Sequence, residues 1–198
     1  FKWIAKFIKD FPNQKFIGGG EESFGFMVGD AVRDKDAVAA ILLVSEIAAQ
    51  AKASGSSLYQ ELLNLYIDFG FYKEHLISIT KKGIEGANEI KQMMIALREN
   101  PLKEINGQRV ICIEDYQASK GKDFMNNEEF EIHVPKSNVL IYYLEDGSKI
   151  CARPSGTEPK IKFYFSVNGD LDTIENAKSV EKELDNKIAG IISAMKLN

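Results

Sequence analysis

Apolar side chains recur with helical spacing in four stretches of the first half of the chain. Residues 1–11 form an amphipathic pattern, residues 57–69 carry an apolar stripe, and residues 84–97 return to the same period. Residues 36–53 are almost continuously apolar, so we expect this helix to be packed on most sides. The pattern therefore predicts four helices before residue 100.

Strand patterns are scarce in the first half and dominate the second. Residues 71–80 are rich in β-branched and aromatic side chains and predict a strand, and residues 15–17 predict a short one. Residues 117–129 predict a loop, and an Asp-Gly pair at residues 146–147 predicts a hairpin turn. The remaining predicted strands lie at residues 109–113, 130–134, 138–144 and 161–167.

A polar stretch separates these two halves. Residues 98–107 contain a proline and an Asn-Gly turn pair, and they follow the last helix predicted in the first half. We therefore place a domain boundary there, with a helix-rich domain at residues 1–100 and a strand-rich domain at residues 101–198. Within the second domain, residues 172–195 predict one long amphipathic helix over one face of a mostly antiparallel sheet.

Composition is that of an ordinary globular protein. Of the 198 residues, 44% are hydrophobic and 27% are charged, and the net charge is -4, which argues against a disordered chain. The longest apolar run, from Ala37 to Val44, is too short to span a bilayer, and no signal peptide opens the chain. We therefore expect a cytoplasmic protein, and a start at Phe1 without Met is in line with a truncated chain.

The residue pattern gives no support for metal or nucleic-acid binding. Cys112 and Cys151 are too few for a disulfide framework, and we expect both to be buried thiols. His75 and His133 have no neighbouring ligands at zinc spacing. No basic run exceeds two residues, so a nucleic-acid interface is not indicated, while a small anion held by a local basic cluster remains open.

Residues 153–162, Arg-Pro-Ser-Gly-Thr-Glu-Pro-Lys-Ile-Lys, lie between two predicted strands and have the chemistry of an anion-binding loop. Arg153 offers a planar fork of donors, and Ser155 and Thr157 add hydroxyls. Gly156 lets backbone amides approach a phosphate that a side chain would block. The alternative is a plain turn with incidental surface cations.

Two lysines follow this loop. Both add positive charge nearby, and because side chains along a strand alternate between its faces, we expect only one of them to share a face with the loop. The sequence leaves open whether that residue is Lys160 or Lys162.

Residues 18–25, Gly-Gly-Gly-Glu-Glu-Ser-Phe-Gly, have the opposite polarity. A carboxylate such as that of Glu21 accepts hydrogen bonds from vicinal hydroxyls, and Ser23 can donate or accept, so sugars are the natural match. The alternative is a solvated loop whose glycines serve only backbone geometry. Neither a Walker A motif nor a dinucleotide fingerprint fits this spacing.

A third charged segment, Arg-Asp-Lys-Asp at residues 33–36, precedes the almost continuously apolar stretch. Its carboxylates could be metal ligands or the first turn of a helix. A helix start is favoured, because acidic side chains there complement the helix dipole. Lys35 could also point back over the Glu21 loop, and the sequence leaves its place open.

These three segments occur in the order and spacing found in the α-D-phosphohexomutase superfamily, which the chain resembles over essentially all of its length. The resemblance is to bacterial phosphoglucomutases and phosphomannomutases, in particular those that carry Glu-Glu-Ser-Phe-Gly. Three motifs in order are more specific than any one alone.

The resemblance implies a partial α/β third domain at residues 1–100. A fourth domain at residues 101–198 would be an antiparallel sheet covered by helices, with a fold like that of the TATA-binding protein. The resemblance also implies a four-domain isomerase in which a phosphoserine of the first domain exchanges a phosphoryl group with a hexose phosphate. Such an enzyme interconverts hexose 1-phosphate and hexose 6-phosphate through a bisphosphate intermediate, and it uses Mg²⁺ and glucose 1,6-bisphosphate.

The family's site residues transfer to three places in this chain. Its sugar-binding loop corresponds to Glu21 and Ser23, and Lys35 resembles a lysine thought to assist proton transfer. Its phosphate-binding loop corresponds to Arg153, Ser155, Gly156, Thr157 and Lys162, with Lys160 a weaker candidate for the second cation.

Two segments that the family's chemistry requires are missing here. No Thr-Ala-Ser-His-Asn-Pro segment supplies a phosphoserine, and no Asp-Gly-Asp-x-Asp-Arg loop holds magnesium. We therefore expect this chain to bind a phosphosugar without converting it, with N-terminal domains of the same parent chain as partners and no metal, nucleic acid or membrane bound. A non-catalytic phosphosugar-binding or regulatory module is the alternative, and a protein-interaction domain would show no phosphate affinity. The choice between glucose and mannose phosphates stays open.

Overall fold

The computed structural model describes residues 1–21 and 25–197, and this part of the chain contains two separate antiparallel sheets. The chain divides into two compact units, Phe1–Leu63 and Asn64–Asn198. The helices and strands of the first unit are α1 (Lys2–Asp10), β1 (Gly18–Glu21), β2 (Gly25–Val28), α2 (Ala37–Ala53) and α3 (Leu58–Phe69), the last of which continues into the second unit.

A short hairpin and a capped helix organise the first unit. Strands β1 and β2 pair antiparallel, with Glu21 opposite Gly25. The strand predicted at 15–17 is therefore wrong in position. The strand forms in the glycine-rich stretch that follows, because that stretch is the one hydrogen-bonded to β2. Asp36 begins α2 by accepting a hydrogen bond from the backbone N–H of Val38 at 3.1 Å, which confirms the helix start predicted for this segment.

Helix α2 is far less covered than its sequence predicts. Val38, Ile41 and Leu42 are 78%, 67% and 62% exposed, so the expectation of packing on most sides is wrong for this unit. The physical reason is that a two-stranded sheet offers too little surface to cover a helix that is apolar all round. In the described part of the chain, no single helix is long and apolar enough to cross a membrane; by length and composition alone, the bent pair α2 and α3 passes that test only together.

The second unit is built on one large antiparallel sheet. Its helices and strands are β3 (Phe71–Thr80), α4 (Gly83–Glu99), β4 (Glu104–Ile105), β5 (Gln108–Asp115), β6 (Lys120–Asp123), β7 (Glu128–Glu131), β8 (Leu140–Leu144), β9 (Lys149–Pro154), β10 (Lys160–Gly169) and α5 (Ala177–Ala194). The strand order is β3-β10-β9-β8-β5-β6-β7, and β4 pairs with β5.

Strand β3 belongs to this sheet rather than to the first unit. It pairs with β10 along its full length, from Phe71 opposite Gly169 to Thr80 opposite Lys160. The structure therefore divides the chain before the polar stretch at residues 98–107 on which the sequence boundary rests. The composition of a linker is a local property of the sequence. The pairing of β3 with β10 joins residues about 90 positions apart, so it cannot be predicted from a local pattern.

The core of the second unit lies between the sheet and α5. Strand β10 alternates, and its buried side chains Ile161, Phe163 and Phe165 are 0% exposed. Helix α5 packs against β10 and buries Leu184 and Ile188. Each of these side chains contributes about 1.5–3 kcal/mol on burial. The strand predicted at 161–167 and the long C-terminal helix are both confirmed.

The loop predicted at residues 117–129 is wrong. That stretch contains β6 and the start of β7, whose sequences are too polar to show an alternating apolar pattern. Opposite charges face each other at two positions of the β6–β7 pair, as Lys122 does Glu129, and such cross-strand pairs stabilise a sheet. At one further position the like charges of Asp123 and Glu128 are opposite each other. At Gly121 an added Cβ would lie 2.1 Å from the Phe130 ring, so the ring covers the glycine.

Candidate anion-binding site

The connection between β9 and β10 is a tight loop at residues 155–159. The backbone N–H of Ser155 donates to the carbonyl of Lys160 at 2.7 Å, and the N–H of Lys160 donates to the carbonyl of Glu158 at 2.7 Å. These bonds close the loop on the end of the hairpin. The hairpin pairing thus fixes where the loop's side chains and amides stand.

The Ser155 hydroxyl organises the loop from inside. Its oxygen accepts hydrogen bonds from the backbone N–H groups of Thr157 at 3.4 Å and of Glu158 at 3.2 Å, a common serine turn. A hydroxyl has two acceptor positions and one donor hydrogen. With both acceptor positions in use, the remaining hydrogen of Ser155 is available to an anion.

Gly156 leaves open space at the tip of the loop. It is exposed, an added Cβ would meet no atom within 4 Å, and its backbone N–H has no acceptor within residues 1–21 and 25–197. Crowding inside the protein therefore does not explain the glycine. An incoming anion could approach this N–H directly, which a larger side chain would hinder.

Arg153 and Lys162 lie directly opposite each other on β9 and β10. Opposite residues in an antiparallel pair share a face of the sheet, so both cations point to the same side. Arg153 is exposed, Lys162 is half-buried, and within the described part of the chain neither forms an ion pair. Their charges are therefore uncompensated by neighbouring side chains.

A cavity of about 230 Å³ lies beside this pair of cations. Both lysines line it, so the expectation that only Lys160 or Lys162 shares the loop's face is wrong: residues two apart in a strand face the same side. Lys160 also pairs with the Glu158 carboxylate at 3.1 Å. The cavity is lined by Arg153, Pro154, Ser155, Gly156, Glu158, Lys160, Lys162 and Tyr164.

Thr157 stands apart from the other predicted phosphate ligands. It does not line the smaller cavity and lines only a larger groove of about 870 Å³, together with Ile90 and Met94 of α4. The loop residues Ser155, Gly156 and Glu158 line both. Three residues that line the smaller cavity, Pro154, Glu158 and Tyr164, were given no role by the sequence analysis. The signal for Tyr164 was available, since it lies two positions beyond Lys162 and so on the same strand face.

The second predicted site lies in the first unit. Glu21 ends β1, and its carboxylate lies close to Phe1. The Lys35 ammonium lies 5.9 Å from the centre of the Phe1 ring and 3.2 Å from the Asp34 carboxylate. Glu21 and Lys35 thus both lie beside Phe1. Ser23 lies outside the described residues.

Hydrogen bonds around Lys35 hold one carboxyl in its charged form. The backbone N–H of Lys35 donates to Asp34 at 2.7 Å, and this bond, followed by that from the Lys35 side chain, lowers the pKa of Asp34. Asp34 therefore stays ionised beside the lysine. This ion pair is open to solvent, with Lys35 67% and Asp34 61% exposed.

Two further groups that the sequence singled out have ordinary environments. Cys112 and Cys151 are half-buried, not fully buried as expected, and burial raises the pKa of both thiols. Among the described residues no three His, Cys, Asp or Glu side chains converge as metal ligands do.

Comparison with known proteins identifies relatives for both units. The model of the family described as phosphoglucomutase/phosphomannomutase, alpha/beta/alpha domain III, matches residues 1–66. Phosphoglucomutase of Staphylococcus epidermidis (strain RP62A) is 41% identical over 171 residues, covering 86% of this chain and 31% of the relative. That of Staphylococcus haemolyticus is 36% identical over 191 residues, covering 96% of this chain and 34% of the relative.

A solved structure shares the fold. It is the open form of the exocytosis-sensitive phosphoprotein pp63/parafusin from Paramecium, described as a phosphoglucomutase. The TM-score is 0.55 at 19% identity, and the match covers 97% of this chain and 32% of that one. The expected fold, part of an α/β domain followed by an antiparallel sheet with helices, is confirmed. The chain spans about a third of the length of the curated relatives it matches.

Proposed function

Because the chain belongs to the α-D-phosphohexomutase family and corresponds to the C-terminal part of phosphoglucomutases, we propose that it binds the phosphate group of a hexose phosphate at the β9–β10 loop. The observation that carries this proposal is the pair Arg153 and Lys162, two cations without ion-pair partners in the described chain that face one cavity. A phosphomonoester carries about two negative charges near neutral pH, which two such cations match.

Each group around the cavity has a distinct part in binding. Arg153 presents two parallel N–H donors to two phosphate oxygens, and Lys162 acts as a point charge. The free hydrogen of the Ser155 hydroxyl and the N–H of Gly156 donate to the remaining oxygens. Thr157 supports the loop through its backbone bond to Ser155 rather than from inside the cavity.

Sugar recognition is the part that we assign to the first unit. The Glu21 carboxylate accepts hydrogen bonds from vicinal sugar hydroxyls, and Ser23 has the same role in the family's motif. Lys35 is the candidate for assisting proton transfer at the reacting hydroxyl. Both assignments come from the family's motifs. They leave glucose and mannose equally suitable, since these sugars differ at one hydroxyl.

The parent protein, in this proposal, interconverts hexose 1-phosphate and hexose 6-phosphate by way of a phosphoserine and a bisphosphate. Its N-terminal domains supply the serine and the residues for Mg²⁺, which would stabilise charge on the transferred phosphoryl group. This chain contributes binding and orientation alone. A loop that holds the phosphate that is not reacting suits a substrate that must bind in two orientations.

A phosphosugar-binding or regulatory module without catalysis is the second candidate. The two candidates share the same phosphate site. They differ in whether a serine loop and an Asp-rich loop precede Phe1 in the parent reading frame, which sequencing that frame decides.

Titration of the ¹⁵N-labelled chain with glucose 1-phosphate tests the phosphate site. We expect binding of about millimolar affinity, with shifts of loop amides, and a loss of about ten- to a hundredfold in Arg153→Ala. Arg109→Ala is the matched control, since Arg109 is an exposed arginine of β5 that pairs with Glu145 at 2.8 Å. Equal losses in the two variants would contradict the proposal.

A further inference from the structure

Glu158 is a carboxylate in a cavity that is otherwise suited to anions. The cavity's charged side chains are three cations and one anion, a net charge of +2, namely Arg153, Lys160, Lys162 and Glu158. A carboxylate beside a phosphate site repels the ligand and weakens binding. The presence of Glu158 in this cavity therefore calls for an explanation other than direct contact with the phosphate.

The Glu158 carboxylate forms an ion pair with one of the three cations, Lys160. It lies 3.1 Å from the Lys160 ammonium, whereas Arg153 and Lys162 have no ion-pair partner within the described chain. The pair is solvent-accessible, with Glu158 61% and Lys160 30% exposed, and such ion pairs contribute little net stability. A dianionic phosphate can therefore displace the carboxylate from Lys160 without a large cost.

The loop geometry makes this exchange local. The backbone of Glu158 is held on both sides, because its N–H donates to the Ser155 hydroxyl and its carbonyl accepts from the Lys160 N–H. Those bonds use no carboxylate atom. The side chain can thus leave Lys160 by rotation about its own bonds while the loop keeps its shape.

We propose that Glu158 is an internal competitor for the phosphate: its carboxylate holds Lys160 in the empty cavity and yields it to the ligand on binding. This inference rests on the proposed function. The consequence is a moderate affinity of the cavity for phosphate, because the attraction between Lys160 and phosphate is partly offset by the loss of the ion pair between Lys160 and Glu158. Moderate affinity suits a phosphate that must be released each time the intermediate turns round.

Phosphate titrations of four forms of the chain test the inference: the wild type, Glu158→Gln, Lys160→Met and the variant with both changes. Inorganic phosphate is added at about pH 8, where it is dianionic, at constant ionic strength, and loop amide shifts give Kd. Glu158→Gln removes the charge but keeps the shape, and we expect it to bind about three- to tenfold more tightly. In a Lys160→Met background the same change should gain less than about twofold, since no cation is left to release.

The controls separate this inference from the proposed function. Glu145→Gln removes a similarly exposed carboxylate that pairs with Arg109 elsewhere on the sheet, at 2.8 Å, and should leave Kd unchanged. If wild type binds phosphate and Arg153→Ala loses it, but Glu158→Gln gains nothing, competition is refuted and the phosphate site stands. An equal gain with and without Lys160 also refutes it, in favour of simple repulsion. If wild type binds no phosphate, the proposed function itself fails.

Discussion

Arg153 and Lys162 lie directly opposite each other on β9 and β10, so two like charges share one face of the sheet at the same level. Like charges in directly opposite positions destabilise a sheet by up to about 1 kcal/mol. Under the proposed function, a phosphate bound beside them would replace that repulsion with two attractions. The pair would then favour the liganded state over the unliganded one.

Lys162→Met should therefore change stability and binding in opposite directions. Removal of one charge relieves the repulsion, and we expect the unliganded chain to gain up to about 0.5 kcal/mol in free energy of unfolding. Glucose 1-phosphate binding should weaken by about tenfold. Urea unfolding and titration of the same sample measure both. A loss of stability together with unchanged binding would show that Lys162 has a packing role instead.

Arg153→Ala should weaken phosphosugar binding much more than Lys160→Ala. Arg153 supplies a bidentate fork and has no ion-pair partner in the described chain, whereas Lys160 is engaged by Glu158. The expected loss for Arg153 is about 1.5–3 kcal/mol, or roughly ten- to a hundredfold. Calorimetry on the full-length parent protein measures both variants, and equal losses would exclude the assignment of Arg153 as the main phosphate ligand.

Lys187→Met should destabilise the second unit at neutral pH and much less in acid. The Lys187 ammonium lies 2.8 Å from the Asp146 carboxylate in the β8–β9 turn and donates to the carbonyl of Asn168 at 3.0 Å. Burial alone would raise the pKa of Asp146, but hydrogen bonds from Lys187 and Ser148 outweigh it and lower the pKa below 3.8. The pair joins α5 to the sheet.

The sign of the pH dependence follows from that lowered pKa. A carboxyl whose folded pKa lies below its unfolded pKa adds stability above the unfolded value, near 3.8, and this stability is lost as pH falls through the folded pKa. We expect Lys187→Met to cost about 1–2 kcal/mol at about pH 7 and less at about pH 2.5. Urea unfolding at both pH values is the measurement. An equal cost at both would assign the effect to the lysine's apolar stem.

The chain alone should form no glucose 6-phosphate from glucose 1-phosphate, even with Mg²⁺ and glucose 1,6-bisphosphate present. No serine motif in these residues can accept or donate a phosphoryl group, and added bisphosphate cannot act without a serine to phosphorylate. A coupled assay for glucose 6-phosphate is the measurement. A mixture with a separately made N-terminal half of the parent protein is the comparison, and turnover by the chain alone would overturn the catalytic assignment.

The sequence by itself determined the elements with a strong hydrophobic period. Strand β3 was predicted at its observed bounds, and helices α3, α4 and α5 follow their apolar stripes closely. The helix start at Asp36 could also be predicted from the sequence, because a capping side chain accepts a hydrogen bond from the backbone only two residues away. In each case the information is local, carried by residues within one or two turns or pleats.

Only the tertiary structure decided how these elements combine. Pairing with β10 assigned β3 to the large sheet, and pairing of β6 with β5 and β7 made strands of a stretch without apolar alternation. The same pairing placed Arg153 opposite Lys162, while the course of the loop sent Thr157 to a different groove. The physical reason is that strand register joins residues far apart in the chain, so the partners that face a ligand are fixed by hydrogen bonds between strands and not by spacing along one of them.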